Sequence, residues 1–285
     1  MSLYNPSCDR IRSFDSPEAF AAHIDNLPAD APAYWRAYSD NNKSWAGHKS
    51  GEQALASLKN GSTEHLAAAE QILDQLRVEG ILSSGLRTWQ PSVTGAFPNV
   101  PNAIANVPES MMRRQSSDFA SMSSPLHIVV QVDISGGMDA KQIRNRGIAV
   151  LGLVLALQSM RPVTVSVFSN LQPTDKTSAH ASLITLESAP LDLDRATYML
   201  CNVEFPRQLC YGIGCESAGI KHTPGLLRWG WNKIPTDKKT IEAVREMLQL
   251  SPDDIYIPGG HITDDLMLNK PVEWVKQQIE KHMAA

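Results

Sequence analysis

Three places in the chain carry residues suited to chemistry. The first is Asp133-Ile134-Ser135-Gly136-Gly137, directly after an apolar run. A carboxylate and a hydroxyl two residues apart, at the carboxyl end of a parallel strand, sit where α/β sheets bind ligands. Short oxygen donors of this kind suit a hard cation such as Mg²⁺. The metal-free alternative is a loop in which Asp133 caps the next helix or hydrogen-bonds the loop. The second place is Lys221–Lys239, KHTPGLLRWGWNKIPTDKK, nineteen residues with five Lys/Arg and one Asp. Trp229 and Trp231 stand two apart, so an extended backbone puts both on one side. With those indoles stacked on bases, Arg228, Lys233, Lys238 and Lys239 would track phosphates, the combination that single-strand binders use. The alternative is buried tryptophans with solvated lysines. The third place is a pair of tripeptides, His180-Ala181-Ser182 and His261-Ile262-Thr263. On neighbouring strands they would point two imidazoles into one cleft, one as base and one as acid on a phosphodiester.

Other groupings are weaker. Cys201, Cys210, Cys215 and His222 are residue types that bind zinc, but their spacing lacks a Cys-x₂-Cys knuckle. Buried thiols are the alternative there. Lys141, Arg144 and Arg146 form a small basic cluster, expected on the solvated face of a helix. The chain has neither a Gly-x-x-x-x-Gly-Lys phosphate loop nor a Gly-x-Ser-x-Gly elbow, which weighs against an NTPase or an α/β-hydrolase.

These residues need a scaffold, and the hydrophobic pattern supplies one. Residues 126–132 (LHIVVQV) read as a buried strand and 133–139 as a loop. Residues 141–160 read as a long helix, and 162–168 as a strand with alternating valines. Strand, helix and strand make a βαβ unit, hence a parallel sheet with a right-handed crossover. Further strands are expected at 181–187 and 254–257, and helices at 194–201, 237–250 and from Pro271 onward. The N-terminal region reads as helical. Ser16-Pro17 opens one helix, 51–58 a short second, and Leu66, Ala69, Ile72, Leu73 and Leu76 mark a third. Between them and the sheet, residues 85–124 carry Pro91, Pro98, Pro101 and Pro108 among many apolar residues. That composition predicts an ordered connection pressed against a domain. The expected organisation is a helical region at 1–84, a Pro-rich connection at 85–124, and a sheet domain at 125–285.

Composition bounds the partners. At 285 residues, 42% hydrophobic and 20% charged, the chain is globular and long enough for two domains or one large α/β domain with an extension. A net charge of −4 and a pI near 6.1 exclude bulk attraction to polyanions, so any nucleic-acid role must be local and salt-sensitive. Four cysteines do not make a disulfide framework. The N-terminus has no signal-like apolar core, and the longest apolar run, residues 147–157, falls short of the ~20 residues that span a bilayer. The expectation is a soluble cytoplasmic protein without membrane partners.

Two resemblances sharpen this. Asp133 and Ser135 match the Asp-x-Ser-x-Ser pattern of the metal-ion-dependent adhesion site of von Willebrand factor A domains, with Gly137 in place of the second serine. Asp264 is the best candidate for the distal aspartate of such a site. More broadly, Trp45–Leu55, Gly95–Pro101 with Pro108–Met112, Arg146–Leu151 and Pro190–Arg195 resemble a family of phage-encoded proteins of largely unassigned function. That resemblance implies an α/β fold: a helical N-terminal part, a proline-punctuated connection, and a von Willebrand factor A-like (Rossmann-like) domain with a degenerate metal loop. It also implies the host cytoplasm as the setting. The leading expectation is a non-enzymatic phage protein that binds single-stranded DNA, recruits a phage polymerase, or does both. A metal-assisted protein-assembly adaptor with possible Mg²⁺ at Asp133, Ser135 and Asp264, contacting other phage or host proteins, is the second reading. The histidine tripeptides, which resemble those of two-histidine phosphoesterases, give the third.

Overall fold

The β-branched runs of the chain build the centre of a five-stranded sheet. In the computed structural model, which describes residues 10–27, 50–82, 89–94, 97–114, 125–171, 180–186, 191–217 and 237–283, its strands are β1 (Arg10–Phe14), β5 (Leu126–Gln131), β6 (Val163–Leu171), β7 (His180–Leu186) and β8 (Ile255–Ile257). They lie in the order β1-β7-β6-β5-β8. β5 pairs parallel with both β6 and β8, and β1 runs parallel to β7. Only the β6–β7 pair is antiparallel. The expected βαβ unit is present: α5 (Ala140–Gln158) carries the chain from β5 to its parallel neighbour β6. The molecule is thus mixed α/β with a mostly parallel sheet.

Side-chain alternation sends two apolar surfaces to opposite faces. Ile128, Val130, Val165, Val167, Ile184 and Ile257 point into the larger core. Val129, Phe168, Ala181 and Tyr256 point the other way, where Val244 of α8 (Lys238–Met247) covers them. The larger core also takes in the N-terminal helices α1 (Pro17–Asp25), α2 (Gly51–Asn60) and α3 (Leu66–Val78), through Phe20, Ile24, Leu58, Ile72 and Leu76. α6 (Leu193–Cys201) and the terminal helix α10 (Pro271–Met283) complete it. One apolar cluster therefore joins the expected helical region to the sheet.

α5 makes its closest approach at Gly147. A Cβ there would stand 2.2 Å from the Leu200 carbonyl oxygen and 2.6 Å from Cys201 Cα, both backbone atoms of α6. The absent side chain is what lets the two helices cross.

Two features differ from the sequence reading. β1 lies where only helix was expected. Its five residues, RIRSF, are too few and too irregular in alternation to announce an edge strand, and its pairing with β7 comes from a distant part of the chain. The second is the Pro-rich connection. It forms a small antiparallel sheet, β2 (Trp89–Ser92), β4 (Met111–Arg114) and β3 (Phe97–Pro98), with a short helix α4 (Val100–Ile104). Its described side chains are not pressed into the core: Val93, Val100 and Ile104 are 65%, 57% and 79% exposed.

Candidate functional site

The carboxyl ends of β5 and β8 lie side by side, and the loops that leave them are zipped together. Ser135 N–H donates to the Gly260 carbonyl, and Gly260 N–H donates to the Asp133 carbonyl, each at 2.9 Å. Together these two bonds make Ile134 and Gly260 a parallel bridge pair. This places Asp133, Ser135 and Asp264 in two adjoining loops at one end of the sheet.

The Asp133 carboxylate points inward. Asp133 is 2% exposed, and three protein donors converge on it. Ser169 Oγ donates to Oδ1 at 2.7 Å. Gln131 Nε2 and the Asn170 N–H both donate to Oδ2 at 2.7 Å. Gln131 is locked in turn, because its Oε1 accepts from the Tyr256 hydroxyl at 2.6 Å and from Gly259 N–H at 3.3 Å. The helix cap expected of Asp133 is supplied by Asp139 instead, whose side chain and that of Gln142 form a reciprocal capping box at the start of α5.

Beneath this network lies Arg146, which is 3% exposed. That corrects the expectation of a solvated basic face. Its Nη2 donates to the Gln131 carbonyl at 2.9 Å and to the Pro258 carbonyl at 2.6 Å. Burial pushes its pKa down to about 10, while Asp264, Tyr256 and Asp133 act in the opposite direction. The guanidinium is therefore still charged at neutral pH.

Asp264 closes its own loop. Its Oδ2 accepts from His261 N–H at 2.8 Å, and its N–H donates to the His261 carbonyl at 3.1 Å. At Gly137 there is room for a side chain: a Cβ would lie 3.6 Å from Ile262 and 4.0 Å from Ser135 Oγ. Packing does not demand the glycine that costs this loop a hydroxyl. Among the described residues no three His, Cys, Asp or Glu side chains gather as a metal-ligand set. With both Asp133 oxygens committed to protein donors and Gly137 contributing none, the donor set does not fit a divalent cation.

The two histidine tripeptides fall at the same end of the sheet but not on neighbouring strands. His180 opens β7, and His261 follows β8, with β6 and β5 between them. Three inter-strand spacings of about 4.8 Å put roughly 14 Å between their strands, so they are not the neighbouring-strand pair that the phosphodiester reading expects. The His261 ring bonds locally, with Nδ1 2.8 Å from Thr263 Oγ1.

Cys201 and Cys210 are buried free thiols. Burial raises the Cys201 thiol to about 12. Burial, with the Asp133 carboxylate behind it, pushes Cys210 up as well. Both are neutral thiols, in keeping with structural burial. The Cys215 side chain and His222 lie outside the described residues.

Of the nucleic-acid candidates, Arg228, Trp229, Trp231 and Lys233 lie outside the described residues. Lys238 and Lys239 are exposed in the first turn of α8. Asp237, the one acid of that stretch, is the helix cap: its carboxylate accepts from Thr240 N–H at 2.9 Å and Thr240 Oγ1 at 2.7 Å. α8 packs on the sheet and is joined to β8 by a short link, so it runs opposite to β8. Its first turn therefore lies toward the carboxyl end, the end that also holds the Asp133 loop.

A family model described as "Domain of unknown function (DUF7192)" matches residues 8–282. The chain belongs to that family. The DUF7192 match runs from just before β1 to the end of α10, across the helical region, the Pro-rich connection and the sheet alike. No curated protein and no solved structure matches the chain.

Sequence reasoning missed most of this loop network: Gln131, Arg146, Ser169, Asn170 and Tyr256. A signal existed for Arg146, which falls on the Ile143–Gly147–Val150 stripe of α5, the face that turns inward. Gln131 was visible as a polar residue at the end of a mainly apolar strand.

Proposed function

We propose that this is a non-enzymatic phage protein that acts in nucleic-acid transactions in the host cytoplasm, binding single-stranded DNA, recruiting a phage polymerase, or both. The observation that carries the reading is the pair of exposed lysines, Lys238 and Lys239, at the start of α8. They are the last two residues of a stretch of net charge +4 that includes Trp229 and Trp231, in a chain of net charge −4. On that turn Asp237 is turned to the helix cap, and Lys238 Nζ lies 3.8 Å from Glu242 Oε1. No helix among the described residues is long and apolar enough to cross a membrane. The fold we assign is of von Willebrand factor A type. Its support is the Asp-x-Ser loop that leaves the inner strand β5 and leads through α5 to the parallel strand β6.

The test is fluorescence anisotropy with labelled single-stranded oligonucleotides. The wild type binds at micromolar protein or tighter, and replacing Trp229 and Trp231 by alanine weakens binding by roughly 1–3 kcal/mol per stacked base. Absence of salt-sensitive binding at micromolar protein removes the DNA-binding part.

A second reading keeps the Asp133 loop as a protein-docking surface for other phage or host proteins. The exposed Ile262 beside Ser135 and Gly137 favours it. The donor set described above makes such docking independent of Mg²⁺.

A further inference from the structure

The Asp133 loop has the outline of a cation site but not its donor set, and the structure shows what stands there instead. Arg146 enters from the second turn of α5 and ends beneath the junction of the two loops, on the Gln131 and Pro258 carbonyls. The opposing loop is shaped around it. A Cβ at Gly260 would come within 2.8 Å of Arg146 Cδ and 3.1 Å of both Ile134 and Met138, so only glycine closes the loop over this side chain. Gln131 joins the two charges, because its carbonyl accepts from Arg146 while its side-chain amide donates to Asp133. From β6, Ser169 and Asn170 also donate to the carboxylate.

We propose that Arg146 is a resident cation: it compensates the buried Asp133 carboxylate from inside the fold, so that the loop holds its shape without a divalent ion. A buried carboxylate and a buried guanidinium are each costly alone. Held in one hydrogen-bonded network they offset one another without touching, through Gln131. Asp264 adds negative potential that favours the charged guanidinium. The charge that a metal would bring is thus covalently part of α5.

The test is thermal unfolding of the full chain in EDTA and in MgCl₂, for the wild type and for R146M, D133N and the R146M/D133N double variant. The wild type unfolds at the same temperature in both buffers. Each single variant is less stable, and the double variant loses less than the sum of the two, because residues in one network couple. Loss of the two carbonyl bonds accompanies R146M in either background and so cancels from the cycle. Additive losses would overturn the proposal, since Arg146 would then merely pack. A rise in wild-type melting temperature with Mg²⁺ that D133N abolishes would overturn it as well. If R146M fails to fold, R146K, which keeps the charge, and calorimetry of Mg²⁺ with wild type against D133N decide the question. Heat of binding lost in D133N would refute a metal-free loop, and equal null traces with a folded R146K would support it.

Discussion

Two glycines of α5, five residues apart, should respond to the same substitution in opposite ways. At Gly147 an alanine Cβ would lie 2.2 Å from the Leu200 carbonyl oxygen and 2.6 Å from both Leu200 C and Cys201 Cα. Ordinary contacts are roughly 3.5–4 Å, so α5 and the last turn of α6 must separate by about 1 Å. The obstacle is backbone and cannot rotate away. Overpacking of this kind costs about 1–3 kcal/mol and occasionally more, against a helix-propensity gain of about 1 kcal/mol for Gly→Ala. Placing the clash at the top of that range, G147A loses about 2 kcal/mol net, or about 4–8 °C at the 2–4 °C per kcal/mol usual for larger domains. At Gly152 the three atoms nearest to a Cβ would all be Ile72 side-chain atoms, at 3.2–3.3 Å. Ile72 yields by a few tenths of an ångström, the propensity gain offsets this, and G152A stays within about 1 kcal/mol of wild type. Urea unfolding monitored by circular dichroism, with thermal melts alongside, reads both. Equal stability of the two variants, or a G147A protein as stable as wild type, would refute the packing argument.

Other expectations follow from single contacts. The buried Tyr198 hydroxyl donates to the Ala54 carbonyl at 2.7 Å, tying α6 to α2, so Y198F should cost about 1 kcal/mol in urea unfolding. His127 sits 2.9 Å from Ser166 Oγ on the β5–β6 pair, and burial lowers its pKa, with Asp254 opposing. Its folded value lies below the unfolded 6.5, so its contribution is complete above pH 6.5 and is lost as pH falls through the folded value. His65 and His282 are lowered by burial too and act with the same sign. Melting temperature should therefore fall as pH drops below 6.5, and H127Q should make that fall shallower; an unchanged pH profile would count against the assignment.

The parts of the fold read correctly from sequence are those with strong periodicity: the valine alternation of β6, the apolar run of β5 and the long stripe of α5. β1 was hidden because an edge strand needs only a partner, and its partner β7 is some 170 residues away in the chain, beyond any local pattern. The site was legible in its anchors and not in its chemistry. Asp133 stood out by type and spacing, yet what decides its role is the convergence of Gln131, Ser169 and Asn170 from two strands. That convergence depends on the register Gln131↔Phe168, which pattern alone does not fix. Arg146 was misread because three nearby cations suggest a solvated face, whereas the 3.6-residue period puts Arg146 on the buried side and leaves Lys141 and Arg144 outside.

The most direct test of the functional claim is the salt dependence of single-stranded DNA binding. For single strands, the slope of log K against log salt is about −0.7 per neutralised phosphate. If Lys238 and Lys239 each meet a phosphate, K238Q/K239Q should make the slope shallower by about 1.4 while leaving the fold intact. A wild type that does not bind at low salt, or a slope identical in the two proteins, would contradict the nucleic-acid role assigned to this end of the molecule.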